Sequence, residues 1–213
     1  MRNPSFTHYD LFLAKPDFDS SLTELIIDLN YLRKLRLGGT TRPFIFFQLK
    51  HIFHMLESIG SARIEGNNTT IAEYLDTKID DENDVPPSIQ EIRNIETAMD
   101  YIEKTAKRSK IDRAYISDIH KMIVEGLDPS DEGDRTPGIY RRIDIKINKS
   151  THIPPNWNKI QDYMDELFLF INKKDPPKYD LLKTAIAHHR FVWVHPFCNG
   201  NGRTVRLFTY AML

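Results

Sequence analysis

Only one cysteine, Cys198, occurs in this 213-residue chain, which excludes an internal disulfide framework and any cysteine-rich zinc site. An excess of one charge is missing as well. Twenty-nine basic and thirty acidic side chains leave a formal net charge of −1, so no overall field recruits nucleic acid or an anionic membrane, and any anion site must be built locally. Neither nucleic acid nor membrane is therefore expected as a partner. The first twenty residues lack the apolar core of a signal peptide, and no later stretch approaches membrane-spanning length, which makes the cytoplasm the expected location. Familiar site motifs are also absent. There is no HExxH, no Gly-Lys-Ser/Thr ending and no GxGxxG fed by a strand. His188 and His189 are adjacent, so they do not share a helical face as two metal ligands.

What is present is helical periodicity. The hydrophobic fraction, 40%, suffices for one core of ordinary size or for a core with a small appendage. Leu22, Leu25, Ile26, Leu29 and Leu32 recur at helical spacing before a stop at Gly38-Gly39. Pro43 suits a first helical turn, and Phe46, Leu49, Ile52, Phe53, Leu56 and Ile59 continue a second stripe toward Gly66. Thr70 and Glu73 read as a capping box, and the polar stretch from Asp80 to Pro87 reads as a loop. Further stripes run through Ile89–Ile102, Tyr115–Met122 and Trp157–Ile171. The exception is Arg142 to Ile147, where Ile143, Ile145 and Ile147 alternate with Asp144 and Lys146. That alternation predicts a strand, turned at Asn148 to Ser150 and returning through Ile153 as a lone hairpin. The expected fold class is mainly α-helical with one β-hairpin.

The segment His195 to Arg206, HPFCNGNGRTVR, concentrates the chemistry. Pro196 disfavours a helical conformation at His195, so a helix should end there and leave the imidazole at a loop entrance. Gly200 and Gly202 let the backbone approach a ligand, and the helix that follows points its unpaired N–H groups at it. Arg203 and Arg206, three apart, can present two guanidinium groups to phosphate oxygens. A histidine beside such a loop suits general-base work on an attacking hydroxyl while phosphorus is displaced. Taken alone, His195 would more often be structural; its motif reverses that balance.

This segment resembles the Fic motif, His-x-Phe-x-acid-Gly-Asn-Gly-Arg-x-x-Arg, at all but one of its defined positions. Gln90–Asn94, the helix containing His120, and Gly138–Arg141 resemble further features of the family. The resemblance implies a mainly helical Fic fold with a β-hairpin flap, divided into an N-terminal helical extension over 1–87 and a core over 88–213. The flap would span about 138–155 and the catalytic motif 195–206. It implies His195 as the base, Gly200, Asn201 and Gly202 as an anion hole, and Arg203 and Arg206 as phosphate ligands. The implied reaction is transfer of AMP from ATP to a Ser, Thr or Tyr hydroxyl of a target protein that pairs along the flap edge. Asn199 stands where the family places an acid to hold magnesium or manganese. Its amide oxygen can ligate a hard cation without contributing charge, so metal affinity should fall.

Ser61-Ala62-Arg63-Ile64-Glu65-Gly66 resembles the family's inhibitory pattern, within a helix expected over about 44–66. Glu65 in a last helical turn faces an unfavourable dipole, which a cationic partner would offset. The resemblance nominates Arg206 as that partner, with Glu65 keeping the ATP γ-phosphate from seating. Three other readings stay open: another nucleotide or phosphoryl donor, a nucleotide-binding regulatory module with little turnover, and removal of AMP from a modified protein. Nothing in the residues selects or excludes a homodimer.

Overall fold

The computed structural model describes residues 6–35, 40, 42–79, 85–147 and 150–213. Its α-helices are α1 (Ser21–Lys34), α2 (Pro43–Ile64), α3 (Ile71–Ile79), α4 (Pro87–Thr105), α5 (Arg113–Val124), α6 (Ile160–Asn172), α7 (Asp180–Val194) and α8 (Asn201–Met212). Short 3-10 turns at Trp157–Lys159 and Pro177–Tyr179 lead into α6 and α7. The Gly38-Gly39 stop, residues 80–84 of the expected polar loop, and the turn residues 148–149 lie outside the described residues.

Local signals start several helices. Thr70 and Glu73 form the expected capping box, with Thr70 N–H donating to Glu73 Oε2 at 2.7 Å and Glu73 N–H to Thr70 Oγ1 at 3.2 Å. Asp112 caps α5 by accepting from Tyr115 N–H at 3.1 Å. α4 and α8 form the centre. α4 packs on α2, α5 and α8, while α7 packs on α6 and α8. The core between them holds Ile92, Ile95, Ala98 and Ile102 of α4 and Ile116, Ile119 and Ile123 of α5. Phe191, Phe197 and Phe208 close it from the other side.

The two N-terminal stripes behave differently from their periodicity. α1 buries none of its residues, and Leu22, Leu25, Leu29 and Leu32 are exposed. In α2 the inward face is His54, Met55, Ser58, Ile59, Ser61 and Ala62, whereas Phe46, Leu49, Phe53 and Leu56 face outward. The helix is apolar almost all round in its first half, so a 3.6-residue stripe can be drawn on more than one side.

The expected β-hairpin is not formed: no strand occurs among the described residues. Side chains hold this segment instead of a ladder. The buried Arg141 donates from Nε to His195 O, from Nη1 to Ile143 O and from Nη2 to Pro155 O, at 2.7–2.9 Å. Asp144 accepts from Asn156 Nδ2 and from Trp157 N–H at 2.8 and 2.9 Å. These bonds fix the two arms of 141–157 at their base without bringing their backbones into register, and an isolated two-stranded pairing is marginal in water.

Candidate functional site

α7 ends at Val194, and His195 follows as its C-cap at φ 52°, ψ 65°, the one non-glycine residue of positive φ among those described. Such a left-handed conformation costs a non-glycine residue roughly 1–2 kcal/mol, and Arg141 holds it by gripping His195 O. Burial pushes the His195 imidazole down to about 4, against a backbone interaction with Val192 that raises it. The ring is neutral at physiological pH.

The loop after His195 is braced from inside. Asn201 Oδ1 accepts from Phe197 N–H and Asn201 Nδ2 donates to Phe197 O, both at 2.9 Å, so this side chain closes the loop rather than facing its mouth. His120 stacks on Phe197 with ring centroids 3.7 Å apart. Its Nδ1 accepts from Gly138 N–H at 2.8 Å, which leaves the proton on Nε2, 3.1 Å from Asn199 O. Burial pushes this imidazole, too, down to about 4. Gly200, at φ 69°, is the N-cap of α8, and a Cβ there would crowd Val124, Ile123 and His120.

The two arginines part company. Arg203 is 1% exposed and lies between Glu91 Oε1 at 2.9 Å and Glu132, whose O and Oε2 are each 2.7 Å away. Asn67 Nδ2 donates to Glu91 Oε2 at 2.8 Å, which ties this buried pair to the chain just beyond α2. Burial raises both carboxyls, and Asn67 and Arg203 pull Glu91 back. Arg206 points to α2. It donates from Nε to Ser61 Oγ at 2.8 Å, and from Nη2 to Ser61 O at 3.0 Å and to Glu65 Oε1 at 2.7 Å. Glu65 is the C-cap residue of α2. A Cβ at Gly202 would collide with Glu65 Oε1, so the carboxylate rests on the first turn of α8, where unpaired N–H groups favour an anion.

The residues around Asn199 do not fit a protein-held divalent cation. Its Nδ2 donates to Asp131 O and Gly133 O at 2.7 and 3.1 Å, and its Oδ1 accepts from Gly200 N–H at 2.7 Å. The nearby Asp134 is spent on Thr136 and on Asn199 N–H. An amide turned into a loop offers a hard cation neither charge nor a free face.

Helices thus bring together a neutral histidine, a glycine loop opening a helix, and a carboxylate resting on the first turn of that helix. Residues 110–213 are a domain of the Fic/DOC family, matching the family profile of that description. The Protein adenylyltransferase Fic of Aedes aegypti is 30% identical over 175 residues, covering 78% of this chain and 32% of the relative. The chain therefore spans about a third of the length of the curated relatives it matches. The fold is shared with a Fic family protein of Desulfovibrio desulfuricans G20, at TM-score 0.67 and 20% identity over 96% of this chain and 59% of that one. A Fic-domain signalling protein of Bacteroides thetaiotaomicron gives TM-score 0.68 and 18% identity over 91% and 72%.

Periodicity did not find Glu91, Asn67 or Glu132. Their signal is chemical: Arg203 is buried, and a buried guanidinium needs carboxylates, which no local spacing reveals.

Proposed function

We propose that this chain is a protein adenylyltransferase restrained by its own Glu65. One observation carries the reading: the Glu65 carboxylate lies against Gly202 and Arg206, where the α8 N-terminus favours a phosphate. ATP binds with its polyphosphate over Gly200–Gly202 and its γ-phosphate on Arg206 once Glu65 has withdrawn. Arg203, held between two carboxylates, shapes the loop from behind. The neutral His195 takes the proton of a target Ser, Thr or Tyr hydroxyl. The hydroxyl oxygen then bonds to the α-phosphorus, the bond to the bridging oxygen breaks, and pyrophosphate leaves. A divalent cation, magnesium or manganese, enters only as a passenger of the nucleotide phosphates, because Asn199 gives it no seat. The target protein lies along 142–147, whose one backbone–backbone hydrogen bond among the described residues is the turn bond from Ser150 N–H to Ile147 O.

Incorporation of label from α-labelled ATP tests this, with magnesium and with manganese. Glu65→Gly should label itself strongly while the natural chain labels at least tenfold less, and His195→Ala added to Glu65→Gly should abolish the signal without loss of folding. A second reading rests on the Asn199 amide turned inward: a nucleotide-binding module with little turnover. ATP binding without transfer, even in Glu65→Gly, would favour that module. Release of AMP from a premodified protein, dependent on Glu65, would instead assign the reverse reaction.

A further inference from the structure

Away from this site, α2 meets α4 at a polar cluster that the proposed chemistry does not use. His54 of α2 is 7% exposed and faces Asp100 and Glu103 of α4 and Tyr210 of α8. The hydrogen bonds fix its tautomer. Tyr210 Oη donates to Glu103 Oε1 at 2.8 Å, which spends the only hydroxyl proton. His54 Nε2 then has two acceptors in reach, Glu103 Oε1 at 2.9 Å and Tyr210 Oη at 3.2 Å, so Nε2 carries the hydrogen. Nδ1 is left with a lone pair, buried and without a hydrogen-bond partner. The group it faces is itself an electron donor, Asp100 Oδ1, 3.8 Å away.

A buried lone pair facing a carboxylate oxygen, with no hydrogen between them, calls for a positive charge there. A proton does not bridge them as placed, because 3.8 Å exceeds the 2.7–3.2 Å of a hydrogen bond. A metal ion does. Zinc bonds imidazole nitrogen and carboxylate oxygen at about 2.0–2.2 Å, so two tetrahedral ligands lie roughly 3.4 Å apart, close to the gap already present. Glu103 supplies the outer support, since a ligating histidine ordinarily donates its other ring N–H to a carboxylate. Lys50 holds that carboxylate in place at 2.6 Å. The Asp100 side chain is 49% exposed, which opens the site to solvent and to the water molecules that complete the coordination. The nitrogen ligand selects zinc over magnesium or calcium, which prefer all-oxygen sets.

We propose that His54 Nδ1 and Asp100 form a zinc site that cross-links α2 to α4, with Glu103 orienting the histidine. Because Glu65 caps the same helix eleven residues on, zinc should also hold Glu65 in place; this consequence rests on the reading of Glu65 as a restraint. A second cluster, His8, Asp10 and Glu166, competes as an explanation of any binding. It is the poorer candidate, since His8 Nδ1 already pairs with Arg190 Nη1 at 3.1 Å.

Zinc chloride titrated by calorimetry into the metal-free chain near pH 7 tests the site without any transfer assay. One saturable zinc ion per chain is expected, with at least tenfold weaker binding in Asp100→Asn, no change in His8→Gln, and no binding of magnesium at the same concentrations. Zinc should raise the melting temperature of the natural chain and not that of Asp100→Asn, a variant exposed enough to leave the fold intact. Absence of binding, binding untouched by Asp100→Asn, or binding lost in His8→Gln would each overturn the proposal. In the labelling assay zinc should slow the natural chain and spare Asp100→Asn. Intact binding without that difference would overturn only the link to Glu65.

Discussion

Arg203 and Arg206 stand one turn apart on α8 and meet opposite circumstances. Arg203 is paired with Glu91 and Glu132, so Arg203→Ala leaves the buried Glu91 carboxylate with no counter-charge. A loss of about 3–5 kcal/mol is expected in urea or thermal unfolding. Arg203→Lys should recover only part of it, because a single ammonium cannot serve both carboxylates as the fork does. Glu65 and Arg206 are both partly exposed, so Glu65→Gly should change stability by only about 1 kcal/mol while changing transfer strongly. Asn201 differs again. Asn201→Ala removes both bonds to Phe197 and strands a buried N–H and carbonyl, at about 2 kcal/mol. That is a fall of roughly 4–8 °C in melting temperature for a domain of this size. Residues 195–206 were legible as a candidate site because they are contiguous in the sequence. The sequence could not divide labour among them, since the partner that decides Arg203 lies 112 positions away.

At the scale of elements, α2, α4 and α5 were legible from their stripes and α3 from its capping box, whereas the buried face of α2 and the conformation of 142–147 were not. α2 is apolar on most of its circumference, and its buried face includes His54, Ser58 and Ser61, residues that a hydrophobic stripe passes over. In residues 142–147, alternation at Ile143, Ile145 and Ile147 describes a side-chain pattern that a strand would use. A strand also needs a partner, and here Arg141 and Asp144 occupy the base of the two arms with side-chain bonds. Arg141 therefore carries two elements at once: the 141–157 segment and the left-handed cap at His195. Arg141→Ala should increase protease cleavage within residues 142–155 at least tenfold under native conditions, as local opening loses its restraint. Cleavage rates equal to those of the natural chain would show that Asp144 suffices to hold the segment.

The whole molecule adds a dependence that no single motif carries. His120 and His195 are neutral in the folded state, each held near 4 by burial, whereas an unfolded imidazole titrates at about 6.5. Between those values the unfolded chain binds more protons, so stability is present in full above about pH 6.5 and declines as pH falls toward 4. His188, also lowered by burial, acts in the same direction. Glu91 and Glu132 oppose it, because burial raises their folded values and protonation in acid then favours the folded state. With His120 and His195 both displaced to about 4, the melting temperature should fall from pH 7.5 to pH 4.5. The fall should be visibly smaller in His120→Gln, which retains a polar group between Gly138 N–H and Asn199 O without an imidazole to protonate. A flat profile in the natural chain would mean that these rings accept protons inside the fold. The neutral base assigned to His195 would then have to be withdrawn along with the pH dependence.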